Sequence, residues 1–117
     1  MSSILVLDDL ATERDLLSTV LGYAGHTVVQ AATGEEALGL ARKSEPELIL
    51  VDLMMPGMNG YEFVRELRAD PRVGNTRVVF CSATYALDEV RRLAESCGVS
   101  HILAKPCEPE EIIGVVS

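Results

Sequence analysis

Five times along this chain a short apolar run gives way to a segment with helical periodicity, and few folds accept that order. The apolar runs are 3–8, Thr27–Ala31, 47–52, 78–81 and 99–103. The helical segments are 11–24, one opening at Thr33, about 60–69, 86–97 and 108–116. Strands separated by helices and joined by short connections pair in parallel through right-handed crossovers. The pattern predicts a doubly wound α/β fold, a five-stranded parallel sheet with helices on both faces. A length of 117 residues fits one such domain with one core, residues 1–117 as a single unit.

Local signals place the helices. Leu16, Leu17, Val20, Leu21 and Ala24 are expected on one face of the first, with Gly25 as its stop. Thr33 followed by Glu36 reads as a capping box, with Ala37, Leu38 and Ala41 turned inward. Pro46 separates that helix from the next strand. Pro56, Gly57 and Gly60 make 53–60 a loop. Asn59 with Glu62 caps the third helix, and Asp70-Pro71 ends it. Val90, Leu93, Ala94 and Cys97 form the stripe of the fourth, closed by Gly98.

Nearly half the residues are hydrophobic (48%), but two Phe, three Tyr and no Trp are the only aromatics. The core is therefore aliphatic, which suits buried Val/Ile/Leu strands. A formal net charge of −8 argues against nonspecific binding to nucleic acid or to an anionic membrane. Cys81, Cys97 and Cys107 have no metal-binding spacing and read as reduced thiols, Cys81 as a small core residue. No signal peptide and no spanning apolar run is visible, and the expectation is a cytoplasmic protein.

The chemistry lies at the ends of the apolar runs. Asp8-Asp9 ends the first and Asp52 the third, so parallel strands bring three carboxylates to one sheet edge. Such a cluster repels itself, and a hard divalent cation relieves it. Ser82 and Lys105 fall at or just past the ends of the fourth and fifth runs, where ligands bind in open α/β sheets. Asp52 can act as a nucleophile toward phosphorus, Asp8 and Asp9 can ligate Mg²⁺, and Ser82 and Lys105 can hold phosphoryl oxygens. Taken singly, each has a plain reading. A strand-end acid marks the exit to solvent, Asp9 or Thr12 caps the next helix, Ser82 is a turn hydroxyl and Lys105 a surface charge. Five such positions converging on one edge favour the functional reading.

With these residues in place the chain resembles the receiver domain of two-component response regulators, as in the chemotaxis regulator. The resemblance rests on Asp8-Asp9, on 52–60, on Ser82-Ala83 and on Lys105-Pro106, and it covers essentially the whole chain. It implies a flavodoxin-like strand order of 2-1-3-4-5. It implies that Asp52 accepts a phosphoryl group from a histidine kinase or a histidine phosphotransfer protein. Mg²⁺ would be held by Asp8, Asp9, Asp52 and the backbone carbonyl of Met54. Ser82 would be the switch hydroxyl, Lys105 the phosphate-binding lysine, and a cis Lys105-Pro106 bond would aim it. Ala83, Thr84, His101 and Ile102 would belong to the switch and partner face. Met54 and Thr84 stand where family members tune acyl-phosphate hydrolysis, and an apolar Met54 implies a long-lived phosphoryl group.

Two positions depart from the family pattern. Ile102 stands where an aromatic usually swings inward, and Cys107 where Phe often follows Lys-Pro. The last helix is short, which leads to the expectation of a chain that continues into an effector or kinase module. The resemblance further implies a downstream protein partner, and the acidic charge leads to the expectation of no nucleic acid or membrane contact through this domain. It also admits a homodimer through 86–103 and the last helix. Two alternatives remain at this point. One is a degenerate receiver acting as a phosphorylation-independent docking module. The other is a phosphatase of the haloacid-dehalogenase type, disfavoured because Met54 replaces the second acid of its Asp-x-Asp motif.

Overall fold

The computed structural model describes residues 2–55, 57–83, 87–99, 101–105 and 108–116, excepting the side chains of Ala83 and Leu87. The elements alternate throughout: β1 (Ser3–Leu7), α1 (Ala11–Tyr23), β2 (Thr27–Ala31), α2 (Gly34–Ser44), β3 (Leu48–Asp52), α3 (Gly60–Ala69), β4 (Arg77–Ala83), α4 (Leu87–Ser96), β5 (His101–Lys105) and α5 (Pro109–Val116). The strands form one parallel sheet in the order β2-β1-β3-β4-β5.

The sheet is buried on both faces, which is why its central strands are unbroken aliphatic runs rather than alternating ones. Leu5, Leu7, Ile49, Val51, Val78 and Phe80 pack against α2, α3 and α4. Ile4, Val6, Leu48, Leu50, Val79, Cys81 and Leu103 pack against α1 and α5. Cys81 is buried as expected of a small core residue.

Caps fix the helix entries. Asn59 and Glu62 form a full capping box, with Asn59 Oδ1 accepting from the Glu62 amide at 2.9 Å and Glu62 Oε1 from the Asn59 amide at 3.1 Å. Thr33 completes only half of its box. Its hydroxyl accepts from the Glu36 amide, while Glu36 Oε1 accepts from Ala32 instead.

Some expectations are corrected. In α1, Leu17 and Leu21 are buried, but Leu16 is 57% exposed and Ala24 lies outside the helix and exposed. Leu16 is one residue, and so about 100°, away from Leu17, and the stripe narrows to 17, 20 and 21. Neither Asp9 nor Thr12 caps α1. Leu10 is the N-cap without a side-chain bond, and Asp8 Oδ1 accepts from its amide at 3.0 Å. The fourth strand runs Arg77–Ala83 rather than 78–81. The fifth strand begins at His101, not at 99. Val99 is buried because it closes α4. Its amide bonds to the Ala94 carbonyl and the Gly98 amide to Glu95, with Gly98 at φ +72°. That is a Schellman ending with its apolar contact, so an apolar residue before the strand belongs to the helix.

Candidate functional site

The register brings the expected residues to the carboxyl edge of the sheet. Leu7 pairs with Val51, so Asp8 and Asp52 leave adjacent strands side by side. Asp52 pairs with Cys81, Ser82 with Ala104 and Ala83 with Lys105. Asp8, Asp52 and Ser82 are all buried, an unusual condition for two acids.

Carboxylate oxygens of Asp8, Asp9 and Asp52 all lie within 4.8 Å of one another. Lys105 Nζ stands among the acids, 3.3 Å from Asp8 Oδ2 and 3.5 Å from Asp52 Oδ1. A third carboxylate, Glu13 Oε2 in the first turn of α1, is 3.6 Å from the same ammonium. One cation therefore faces three acids, with Asp9 grouped beside two of them. Burial pushes the Asp52 carboxyl up, and Asp8 and Asp9 push further. Lys105 and the Met54 amide, which donates to Asp52 Oδ1 at 3.3 Å, hold it back only in part. The result is a carboxyl at about 6. Burial pulls the Lys105 ammonium down, but Asp52, Asp8 and Glu13 outweigh it and hold it above its ordinary value.

The donor set fits a hard divalent cation. It consists of carboxylate oxygens, and the Asp8–Asp9–Asp52 grouping can converge on one ion, which would offset both the burial of Asp52 and the charge of its two neighbours. Arg14 braces this edge from α1, donating to the Asp8 carbonyl at 2.8 Å and to Gln30 Oε1 at 3.2 Å. Met54 follows Asp52 with its side chain 68% exposed.

The remaining expected residues lie elsewhere or outside the description. His101 is exposed at the start of β5, four residues from Lys105 and so about 13 Å along the strand. Ile102 is half-buried and packs on the core face that carries α4. Thr84, Pro106 and Cys107 lie outside the described residues, and with them the expected cis bond.

Sequence reasoning missed Glu13, and it read Gly60 as a loop residue without its close approach to Asp52. Glu13 has no sequence signal beyond that of a first-turn acid complementing a helix dipole. Gly60 sits against the backbone of Asp52, where any side chain would collide. Its sequence signal was its place, eight residues after the acid in a Gly-rich loop.

No helix among the described residues is long and apolar enough to cross a membrane. Comparison with known proteins agrees with this geometry. The response regulator receiver domain family matches residues 4–117. Protein PilH of Pseudomonas aeruginosa is 30% identical over 117 residues, covering 100% of this chain and 96% of that protein. The DNA-binding response regulator MtrA of Mycobacterium tuberculosis is 37% identical over 113 residues, covering 97% of this chain but 48% of MtrA. Among solved structures, the chemotaxis protein CheY4 of Vibrio cholerae superposes with a TM-score of 0.93 at 32% identity, covering 99% of this chain and 96% of that one. Fold, edge cluster and relatives agree, and the chain belongs to the response regulator receiver family, the phosphoacceptor signalling domain of two-component systems.

Proposed function

We propose that Asp52 is the phosphoacceptor of this receiver and that residues 1–117 act as one switching module. The observation that carries this reading is a buried Asp52 with Asp8 and Asp9 close enough to share an ion and Lys105 3.5 Å away. The donor is a phosphohistidine on a histidine kinase or a histidine phosphotransfer protein. An Asp52 oxygen attacks phosphorus, a P–O bond forms as the P–N bond breaks, and the imidazole keeps the electron pair. Asp8, Asp9, Asp52 and the Met54 carbonyl would hold Mg²⁺, whose charge offsets that of the transferring phosphoryl oxygens. Lys105 pairs with one of those oxygens, and the Ser82 hydroxyl donates to another.

Water later attacks phosphorus, inorganic phosphate leaves and Asp52 returns as a carboxylate. The chain thus takes part in transfer to its own side chain and in its slow hydrolysis, without turning over an external substrate. The apolar Met54 side chain cannot orient a water beside Asp52, so the acyl phosphate outlasts seconds.

The phosphoryl group adds roughly −1.5 to −2 charges to a site already rich in acid. Drawing Ser82 and Lys105 toward it biases Ala83, Thr84 and the face of His101 and Ile102. A partner then shifts the equilibrium by its differential affinity for the two states. Isoleucine lacks a ring to swing, so Ile102 passes the change on by packing against the α4 side of the core. The output is a downstream protein or a fused effector or kinase module, in the cytoplasm, with a homodimer through the α4–β5–α5 face as one form.

The test is intact mass after incubation with acetyl phosphate and Mg²⁺. Wild type is expected to gain one phosphoryl group and Asp52→Asn none. A gain in both moves the acceptor elsewhere. A gain in neither leaves a degenerate docking module.

A further inference from the structure

An acid in the first turn of a helix needs no special explanation, since it complements the helix dipole. Glu13 has a second relationship. Its carboxylate shares Lys105 with the two buried acids at nearly the same distance, 3.6 Å against 3.3 Å and 3.5 Å. Only the Asp8 contact is a hydrogen bond; Asp52 and Glu13 hold the ammonium by charge, at distances that leave it free to favour either. The partners differ in depth. The Asp8 side chain is 1% exposed, that of Asp52 8%, that of Glu13 38%. Glu13 is the outer holder of the lysine, reached from α1, while Asp8 and Asp52 are the inner ones.

The groups also differ in what else claims them. Asp8 and Asp52 belong to the trio whose oxygens converge within 4.8 Å, and Glu13 does not. A cation on that trio neutralises the inner acids and weakens their hold on Lys105, while the Glu13 charge stays unspent. A metal on the trio would therefore leave Glu13 as the stronger holder of the lysine, on the side away from a phosphoryl group on Asp52.

We propose that Glu13 is a positioning residue that competes with the phosphorylated Asp52 for Lys105, setting how readily the receiver accepts and holds its phosphoryl group. This rests on the reading of Asp52 and Lys105 above. It deepens that reading, because it makes the lysine's resting partner a determinant of the switch.

Lys43 and Lys105 are the only lysines of the chain, which makes the side-chain ammonium signals a direct probe with a built-in control. In the full chain labelled at lysine, Glu13→Gln is expected to move the Lys105 signal and leave Lys43 in place, with a larger displacement at saturating Mg²⁺. With acetyl phosphate, the same substitution should speed phosphorylation by roughly two- to fivefold, the worth of one partly exposed ion pair. In a Lys105→Met background that gain should vanish, and Glu13→Asp should fall between the two. A Lys105 signal indifferent to Glu13→Gln overturns the proposal. So does a rate gain that persists without Lys105, which would mean that Glu13 merely repels the anionic donor. If wild type takes up no phosphoryl group, the phosphoacceptor reading falls, and the Lys105 signal alone decides whether Glu13 holds the lysine.

Discussion

Gly60 lies so close beneath the backbone of Asp52 that a methyl group on its Cα would meet the Asp52 carbonyl oxygen at 2.7 Å. Leu53 Cα and Val51 Cγ1 would each be met at 2.8 Å. The start of α3 is thereby pressed against the end of β3, and the Gly60 amide bonds to the Leu53 carbonyl at 3.0 Å. The obstacles include backbone, which yields only by moving the strand end that presents Asp52. Gly60→Ala should therefore cost about 2–3 kcal/mol of stability. Gly39, inside α2 with nothing within 4 Å of its Cβ direction, gives the matched control. Gly39→Ala should stabilise by roughly 0.5–1 kcal/mol through helix propensity. Urea unfolding of both variants checks the pair, and a neutral Gly60→Ala would mean that the β3–α3 junction is looser than this contact requires.

Asp52 makes the metal-free domain less stable at neutral pH than in mild acid. Its carboxyl is raised from 3.8 to about 6, by burial first and by Asp8 and Asp9 as well. The folded state thus binds this proton more tightly than the unfolded chain does. The stabilisation is fully present below about pH 3.8 and is lost as pH rises through about 6. A rise of that size corresponds to ~3 kcal/mol as an upper figure. Asp52→Asn should be more stable than wild type by up to that amount near pH 7.5. The difference should shrink toward zero as pH falls to about 4. Urea midpoints across this range in the presence of a chelator provide the measurement. A difference that stays constant with pH would remove the titration of Asp52 as its cause.

The same crowding predicts a response to magnesium. An ion that binds the folded cluster and not the unfolded chain stabilises by linkage, by ~2.7 kcal/mol at one hundred times its dissociation constant. The melting temperature of wild type should climb with Mg²⁺ at fixed ionic strength. Asp8→Asn and Asp52→Asn, each removing one carboxylate of the trio, should blunt the rise. Equal shifts in all three proteins would place the ion elsewhere.

The acids of this site were legible because each stands directly after an apolar run, and the strand–helix alternation leaves parallel pairing as the only consistent arrangement. Position along the chain then becomes position at a sheet edge, and Asp8, Asp9, Asp52, Ser82 and Lys105 follow. What was not legible came from contacts that no local pattern encodes. Glu13 reaches Lys105 across 92 residues of sequence, and its own neighbourhood reads only as a helix start. The sequence puts the beginning of β5 two residues too early, because Val99 is apolar for the sake of α4, whose Schellman ending buries it. Leu16 read as core because adjacent leucines cannot be ranked by periodicity without knowing where the sheet lies. Arg68 carries no local signal beyond a cation in the last turn of α3, yet the structure gives it a larger part.

Arg68 donates to four backbone carbonyls. Nε reaches Cys97 at 3.0 Å and Nη2 reaches Gly98 at 3.2 Å, both at the end of α4. Nη1 reaches Gly74 at 2.9 Å and Thr76 at 2.6 Å, in the connection from α3 to β4. Burial lowers the guanidinium from its ordinary value, with the neighbouring Cys97 opposing, yet it remains a cation at the negative end of α4. The planar fork ties the end of α4 to the connection from α3 to β4, and carbonyls left behind would have to be resolvated. Arg68→Met should destabilise by about 2–4 kcal/mol and expose the amides of Gly98 and Val99 to hydrogen exchange. Arg68→Lys should recover a minor share, since a lysine cannot span carbonyls on both sides. Urea unfolding with amide exchange read residue by residue tests this. If Arg68→Met unfolds at the wild-type midpoint, these four bonds carry no net weight, and the end of α4 is held by Val99 and Cys97 in the core alone.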